Sequence, residues 1–392
     1  MDLIERIRHY NKGRDHRFLH LKYEAMAQSA FRFFRGTAHL FYQDIPKDSF
    51  LWDSPKSWIC GDLHLENLGS FKGDNRLAYF DMNDFDEACL APCLLDITRF
   101  ACSVHVGSGE LGLDTKTAKA HVKVLLERYA ATLLKGYIRV LEKETATGVV
   151  KQFLEKVENR KRSEFLRGRV LEGRIVTSLK GPYVPIGKKE KAAVKEAFQK
   201  SPLFKRSPDF FAVRDVAFRI AGTGSLGMER YVMLVGGNAL IDIKEAQTAS
   251  LLIHHHFRQP AWPNQAERII EIQQRVEAAA PALLSPLEIQ DKYFVVKELQ
   301  PMEDKLDLTH LAGKAKRCLS FVEDVGELSA WGSLRSSGRQ GSAISDDLIA
   351  FAAKAAGWKR DVADYAAKYA ARVRRDYAHF LKGMQKGLLN RR

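Results

Sequence analysis

An α+β fold is predicted for this 392-residue chain, with a small antiparallel sheet set into a larger helical body. Three observations carry that prediction. Between Asp215 and Lys244, short apolar segments follow one another across glycine-rich turns, the pattern of an antiparallel meander. On either side, apolar residues recur at helical spacing in 20–43, through most of 96–206, and over most of 301–392. Near the start, two short apolar stretches flank a turn signal within 57–82. Hydrophobic residues make up 45% of the chain and charged ones 28%, so it can fill a substantial core, and its length suits two or three structural units; the parts expected are 1–210, 211–300 and 301–392.

Taken in order, residues 20–43 (HLKYEAMAQSAFRFFRGTAHLFYQ) read as helical with one interruption at Gly36. Ser57–Cys60 is a short apolar stretch that leads into GDLHLENLGSF. Lys72-Gly73-Asp74-Asn75 signals a turn and RLAYFDM reads as a strand, so a hairpin returns the end of the second acidic segment to the first. HVKVLLERYAATLLKGYIRVLEK is expected to be one long amphipathic helix and KKEKAAVKEAFQK another, with GRIVTSLKGPYVPIG irregular or briefly extended between them. Asp215–Ile220 alternates, placing Val216, Phe218 and Ile220 on one face. RYVMLV and ALIDIK follow as strands across a Gly236-Gly237-Asn238 turn. Ala266–Ala280 is expected as a helix and DKYFVVKEL as a strand.

Several function classes are disfavoured. No run of about 18 apolar residues offers a transmembrane helix, and the charged start MDLIERIRHYNKGRDHR lacks the apolar core of a secretory signal. Five cysteines, odd in number and unpatterned, suit a reducing cytoplasm. Cys89 and Cys93 lack a second pair at finger-like spacing, and are read as ordinary helix cysteines instead of zinc ligands. The net charge of +14 is concentrated in 151–206, which holds 16 Lys and Arg against 6 Glu. A solvated helical face with a loop is the preferred reading. A nucleic-acid surface or a dock for an anionic substrate is the alternative, without aromatic interleaving or an RNA-binding motif to support it.

The chemistry concentrates in GDLHLEN and NDFDEA. Asp62, His64 and Asn67 form a compact loop offering a proton acceptor and a neutral metal ligand; Asp84 and Asp86 supply carboxylates where the returning strand ends. Phosphoryl transfer needs that set: a base-like carboxylate beside the acceptor hydroxyl, and oxygen ligands for Mg²⁺ beside the phosphates. The competing reading is that these residues cap turns. A second constellation is Gly222-Thr223-Gly224-Ser225-Leu226-Gly227, a GxGxxG that lies between two strands and so is not the dinucleotide-binding kind. Such a turn lets backbone amides close over phosphates. Lys244 ends the next strand on the face of Asp242 and Leu240, where it needs a phosphate or carboxylate unless it is an exposed edge residue. Glu271, among Ile269, Ile270 and Ile272, is the preferred helix partner over Glu267. Glu298 and Leu299 are expected to present backbone to an adenine edge. No GxxxxGK[ST] is present.

These residues resemble the protein-kinase-like superfamily and, within it, the aminoglycoside phosphotransferase branch. GDLHLEN is similar to the HGDLHPGN loop of that branch, NDFDEA to its IDFDDA metal motif, and Asp96 in LLDITRF to the helix Asp that follows. The Gly-rich turn, Lys244 and Glu271 resemble the small-lobe Gly-loop, lysine and helix glutamate, but here they follow the catalytic motifs by about 140 residues. The resemblance therefore implies a circularly permuted, bilobal kinase-like fold binding ATP and Mg²⁺, with Asp62 as base and Asn67 and Asp84 on the metal. Lys244 would hold the α/β-phosphates, paired to Glu271, beneath Gly222, Gly224 and Gly227. Two departures stand out: Cys60 replaces the kinase His, and Asp242 replaces a small apolar residue against adenine. Over nearly its whole length, through FFRGTA, CGDLHLENLG, FDMNDFDEA, GTGSLG, IKEA and YFVVKEL, the chain also resembles an uncharacterised bacterial family known as domain of unknown function 2252. The expected activity is ATP- and Mg²⁺-dependent transfer to a hydroxyl of a small molecule or protein. A nucleotide-binding pseudokinase and a nucleotidyl transferase are the alternatives.

Overall fold

A computed structural model describes residues 1–390 as a mixed α+β protein. Four short strands come first: β1 (Lys56–Ile59), β2 (Leu68–Lys72), β3 (Ala78–Met82) and β4 (Cys89–Pro92). β1 pairs antiparallel with β4, placing Ile59 opposite Cys89, and β2 pairs with β3 as the expected hairpin. The two acidic loops, 60–67 and 83–88, thus leave adjacent strand ends and lie side by side. A two-residue ribbon, β5 (Val170–Leu171) with β6 (Arg174–Ile175), precedes the main sheet.

That sheet has six antiparallel strands: β7 (Tyr183–Val184), β8 (Val213–Arg219), β9 (Arg230–Val235), β10 (Leu240–Glu245), β11 (Ser285–Ile289) and β12 (Lys292–Glu298). Their order is β11-β12-β10-β9-β8-β7. Period-two alternation gives the sheet two buried faces. Val216, Phe218, Met233, Ile241 and Ile243 face the Lys188–Lys200 helix through its Val194 and Phe198. Ala217, Val232, Leu234 and Leu240 face the other way and are covered by Phe165, Leu166 and Val170. The basic stretch therefore contributes apolar cover as well as charge.

The rest of the core is helical and is drawn from both ends of the chain. The Leu94–Val106 helix is buried at every position, and the Thr115–Lys135, Ala315–Arg335 and Ala355–Gln385 helices pack around it. Among the described residues no helix is long and apolar enough to cross a membrane.

Two expectations are corrected, and one strand appears that the sequence did not announce. The long helix stops at Lys135, because Gly136 takes a left-handed conformation (φ +67°) and caps it. Cys89 lies in β4 and Cys93 caps the next helix; the two are not helix neighbours, and all five cysteines are buried thiols. β11 lacks a sequence signal because its turn to β12 is Gln290-Asp291, both at positive φ without the usual Asn-Gly.

Candidate active site

Asp96 and Arg99 are an oppositely charged pair in the fully buried Leu94–Val106 helix, and each supports the loop at 60–67. The Asp96 carboxylate accepts the Cys60 amide at 2.8 Å and the Gly61 amide at 2.9 Å. Tyr42 donates its hydroxyl to the Gly61 carbonyl. These bonds hold the start of the loop in place. Gly61 must be glycine here: its φ is +80°, and a Cβ would lie 2.0 Å from the Glu87 carbonyl oxygen. Arg99, three residues after Asp96 and fully buried, donates to Asp62 through Nε at 2.6 Å and Nη2 at 2.5 Å.

Asn67 joins the two acidic loops. Its Oδ1 accepts the Asp84 amide at 2.8 Å, and its Nδ2 donates to the Asp62 carbonyl at 3.0 Å and the Asp84 carbonyl at 3.1 Å. Both amide donors are engaged, and one Oδ1 lone pair is left over. Asp62 and Asp84 are thereby held on one wall.

The opposite wall is the main sheet. Lys244, at the end of β10 and 9% exposed, reaches Asp84 at 2.9 Å and Asp86 at 2.5 Å. Residues 160 positions apart in sequence thus meet at one point. The Gly222–Gly227 turn closes the top, with Gly222, Thr223, Gly224 and Ser225 beside Asp62, His64, Asp84 and Asp86 around a cavity of about 90 Å³. The turn is pinned from outside: Arg14 Nη1 donates to the Gly224 and Leu226 carbonyls at 2.7 and 2.9 Å, and Lys22 reaches Gly224 at 3.2 Å. Gly227 packs against Arg14 and its carbonyl accepts the Asp15 amide.

The carboxylates differ in electrostatic setting. Desolvation pushes Asp62 up to about 7 against the pull of Arg99. Desolvation also raises Asp86, and with the Asp84 charge beside it carries it to about 6 despite Lys244. For Asp84, desolvation is outweighed by Lys244, Lys297 and Lys305, which hold it below the usual carboxylate range. His64 is kept neutral by burial and by Arg35; its Nδ1 accepts the Glu66 amide at 3.1 Å, and its Nε2 lies 3.4 Å from Arg35 Nε. Arg35 pairs with Glu66, and not with Asp84 or Asp86.

Two sequence expectations are not met by the geometry, and a third residue, Asp242, turns out to be paired. Glu271 does not meet Lys244. It sits on the solvent side of the Gln265–Val276 helix and binds Arg275 at 2.6 Å. That helix reaches the acidic loop through Arg268 instead, which is buried and donates to the Asp86 carbonyl at 2.8 Å and to the Ala88 carbonyl. Glu298 and Leu299 do not offer free amides: these donate to the Ala282 and Leu240 carbonyls, both at 2.8 Å. The Glu298 carboxylate pairs with Arg76. Asp242, 2% exposed, is neutralised by Arg219 at 2.7 Å and by Arg230. The three fill the stretch of sheet face beside Lys244.

Sequence reasoning missed Arg99, Arg268, Arg14 and Lys22. Arg99 carried a usable signal, a cation inside a mostly apolar helical run, since a buried charge requires a partner; Arg268, in an amphipathic helix beside Glu267, carried none. Among the described residues no group of three or more His, Cys, Asp or Glu converges as a metal site.

A model of the bacterial family described as "Uncharacterized protein conserved in bacteria (DUF2252)" matches residues 14–383, and the chain belongs to that family. No curated protein and no solved structure matches it.

Proposed function

We propose that this member of the family is an ATP- and Mg²⁺-dependent phosphotransferase acting on a hydroxyl, built on a circularly permuted kinase-like fold. The observation that carries the reading is the convergence of Lys244 on Asp84 and Asp86, under a glycine-rich turn and beside Asp62. The run of strand, glycine-rich turn, strand, lysine strand, helix and two further strands supports the fold reading, as does a helical body built from both chain ends.

The phosphate end of the nucleotide fits the residues present. Asp84 is 45% exposed and Asp86 24%, so their oxygens remain open to Mg²⁺, which binds through one or two carboxylates plus substrate phosphates. Bound there, Mg²⁺ would neutralise phosphate charge. Asp62, ionising near neutrality, takes the proton of the acceptor hydroxyl, and Arg99 holds its carboxylate in place. Lys244 turns from the carboxylates to the phosphates, and the Gly222–Gly227 amides close over them.

The base end fits less well. The Arg219–Asp242–Arg230 cluster occupies the sheet face, and about 90 Å³ of cavity holds a phosphate group but not a nucleotide. Binding of the whole nucleotide therefore requires the turn to lift. The same cluster favours, as the second reading, a nucleotide seated the other way round, with nucleotidyl transfer as the outcome.

Incubation with γ-labelled and α-labelled ATP in parallel separates the two. Label transfer from the γ position, lost in Asp62→Asn and Asp84→Asn, is expected. Transfer from the α position alone would replace phosphoryl with nucleotidyl transfer, and no transfer of either label to any acceptor in cell extract would leave a binding protein.

A further inference from the structure

A second cavity, of about 260 Å³, lies at the exit of β12 and shares no lining residue with the cleft around Asp62. It sits between the β2–β3 hairpin, the residues that follow β12, and the C-terminal end of the Gly148–Asn159 helix with the short Arg162–Leu166 helix after it. Its apolar walls are Phe71, Val157, Phe165, Pro281 and Leu299. Two aromatic rings and three aliphatic surfaces suit a flat body of one or two fused rings, at the small end of ligand pockets.

The charge around it is strongly biased. Five cations and two carboxylates line the cavity, an excess of three positive charges. Arg76 is matched by Glu298 at 2.9 Å and Arg160 by Asp304. Of the other three, Arg162 and Lys72 have no carboxylate partner among the described residues, and Lys297 makes no ion pair but lies within electrostatic reach of Asp84. Arg162 donates only to the Gly237 carbonyl, Lys297 only to the Asn83 carbonyl at 3.1 Å, and Lys72 reaches no partner. Asn83 also lines the cavity: its Oδ1 accepts from Gln300, and its Nδ2, buried against Gly69, has no hydrogen-bond partner. Cations that face a cavity without an ion-pair partner leave charged donors for an incoming anion.

We propose that this cavity is a binding site for a small aromatic organic anion, a ring system bearing a carboxylate, separate from the Asp62–Lys244 cleft. Lys72 and Lys297 receive the carboxylate and Phe71 and Phe165 enclose the ring. The ligand touches Asn83, next to Asp84, so it lies one residue from the cleft that the proposed activity uses.

Isothermal titration of the full-length protein with 2-naphthoate, without nucleotide, tests the proposal. One-to-one binding is expected, with neutral 2-naphthamide and the variant Lys72→Gln each weakened about tenfold through loss of one charge-assisted contact. Ala282→Phe, which fills the cavity, should abolish binding, whereas Asp62→Asn should leave it unchanged. The Lys72→Gln arm serves if Ala282→Phe fails to fold. Absence of binding at millimolar naphthoate, equal affinity for the amide, or wild-type affinity in Lys72→Gln would overturn the proposal. So would competitive displacement by Mg-ATP, which would make the cavity part of the nucleotide site. Because naphthoate binding is read without turnover, its failure is distinct from failure of the phosphotransferase reading.

Discussion

Asp62 carries the chemistry at the level of single residues, and its ionisation sets a pH dependence. With its carboxyl raised to about 7, the base is protonated and idle below that value and ionised above it. Turnover should therefore rise with pH through about 7 and level off on the alkaline side, as measured by initial rates in a buffer series. Asp62→Asn should lower the rate about 10²- to 10⁴-fold while nucleotide still raises the melting temperature. Lys244→Ala tests the opposite wall. Without the ammonium, Asp84 and Asp86 repel one another, and Asp86, already raised to about 6, rises further. A carboxyl whose folded pKa exceeds its unfolded value loses stability as pH climbs from the ordinary carboxylate range through the folded pKa. Urea denaturation should therefore show a larger deficit for Lys244→Ala at about pH 8 than at about pH 5. Gly61→Ala should cost at least about 2 kcal/mol, from its left-handed backbone together with the clash against Glu87.

At the level of elements, the glycine-rich turn is the part that must move. Arg14 and Lys22 hold the Gly224 carbonyl, so the turn stays down over a cavity too small for a nucleotide. Arg14→Ala removes two hydrogen bonds to the turn and should raise amide hydrogen exchange across residues 222–227 at least about tenfold, with little change in β9 and β10. Unchanged exchange would mean that the turn is held by other contacts. Elements were legible where their signal was local. The β2–β3 hairpin, the Lys188–Lys200 helix and strands β8, β9, β10 and β12 follow from alternation, helical period and glycine turns. β11 escaped because Gln290-Asp291 lacks turn chemistry, and the helix after Asp114 was read too long because its amphipathic pattern runs through Gly136. Asp62, Asp84 and Lys244 were legible as motif residues. The partner of Lys244 was not, because it depends on how far the Gln265–Val276 helix is rotated: Ile269, Ile272 and Val276 face inward and carry Glu271 to the solvent side.

For the whole molecule, the chain enters and leaves through the helical body while the sheet is built from its middle, so the cleft walls come from segments far apart in sequence. Asp62 and Asp84 belong to the body and Lys244 to the sheet, and their meeting depends on the packing of one against the other. Arg268, Asn67 and Arg99 hold that geometry from behind, each bonding to the acidic loops. The most direct measurement is thermal melting of the wild-type protein and of Lys244→Ala with Mg²⁺ and ATP. At about one hundred times the dissociation constant, the wild type should gain about 2 to 3 kcal/mol of stability and Lys244→Ala much less. An unchanged melting temperature of the wild type in millimolar Mg-ATP, or an equal gain in both proteins, would contradict a nucleotide-phosphate site at Lys244, Asp84 and Asp86.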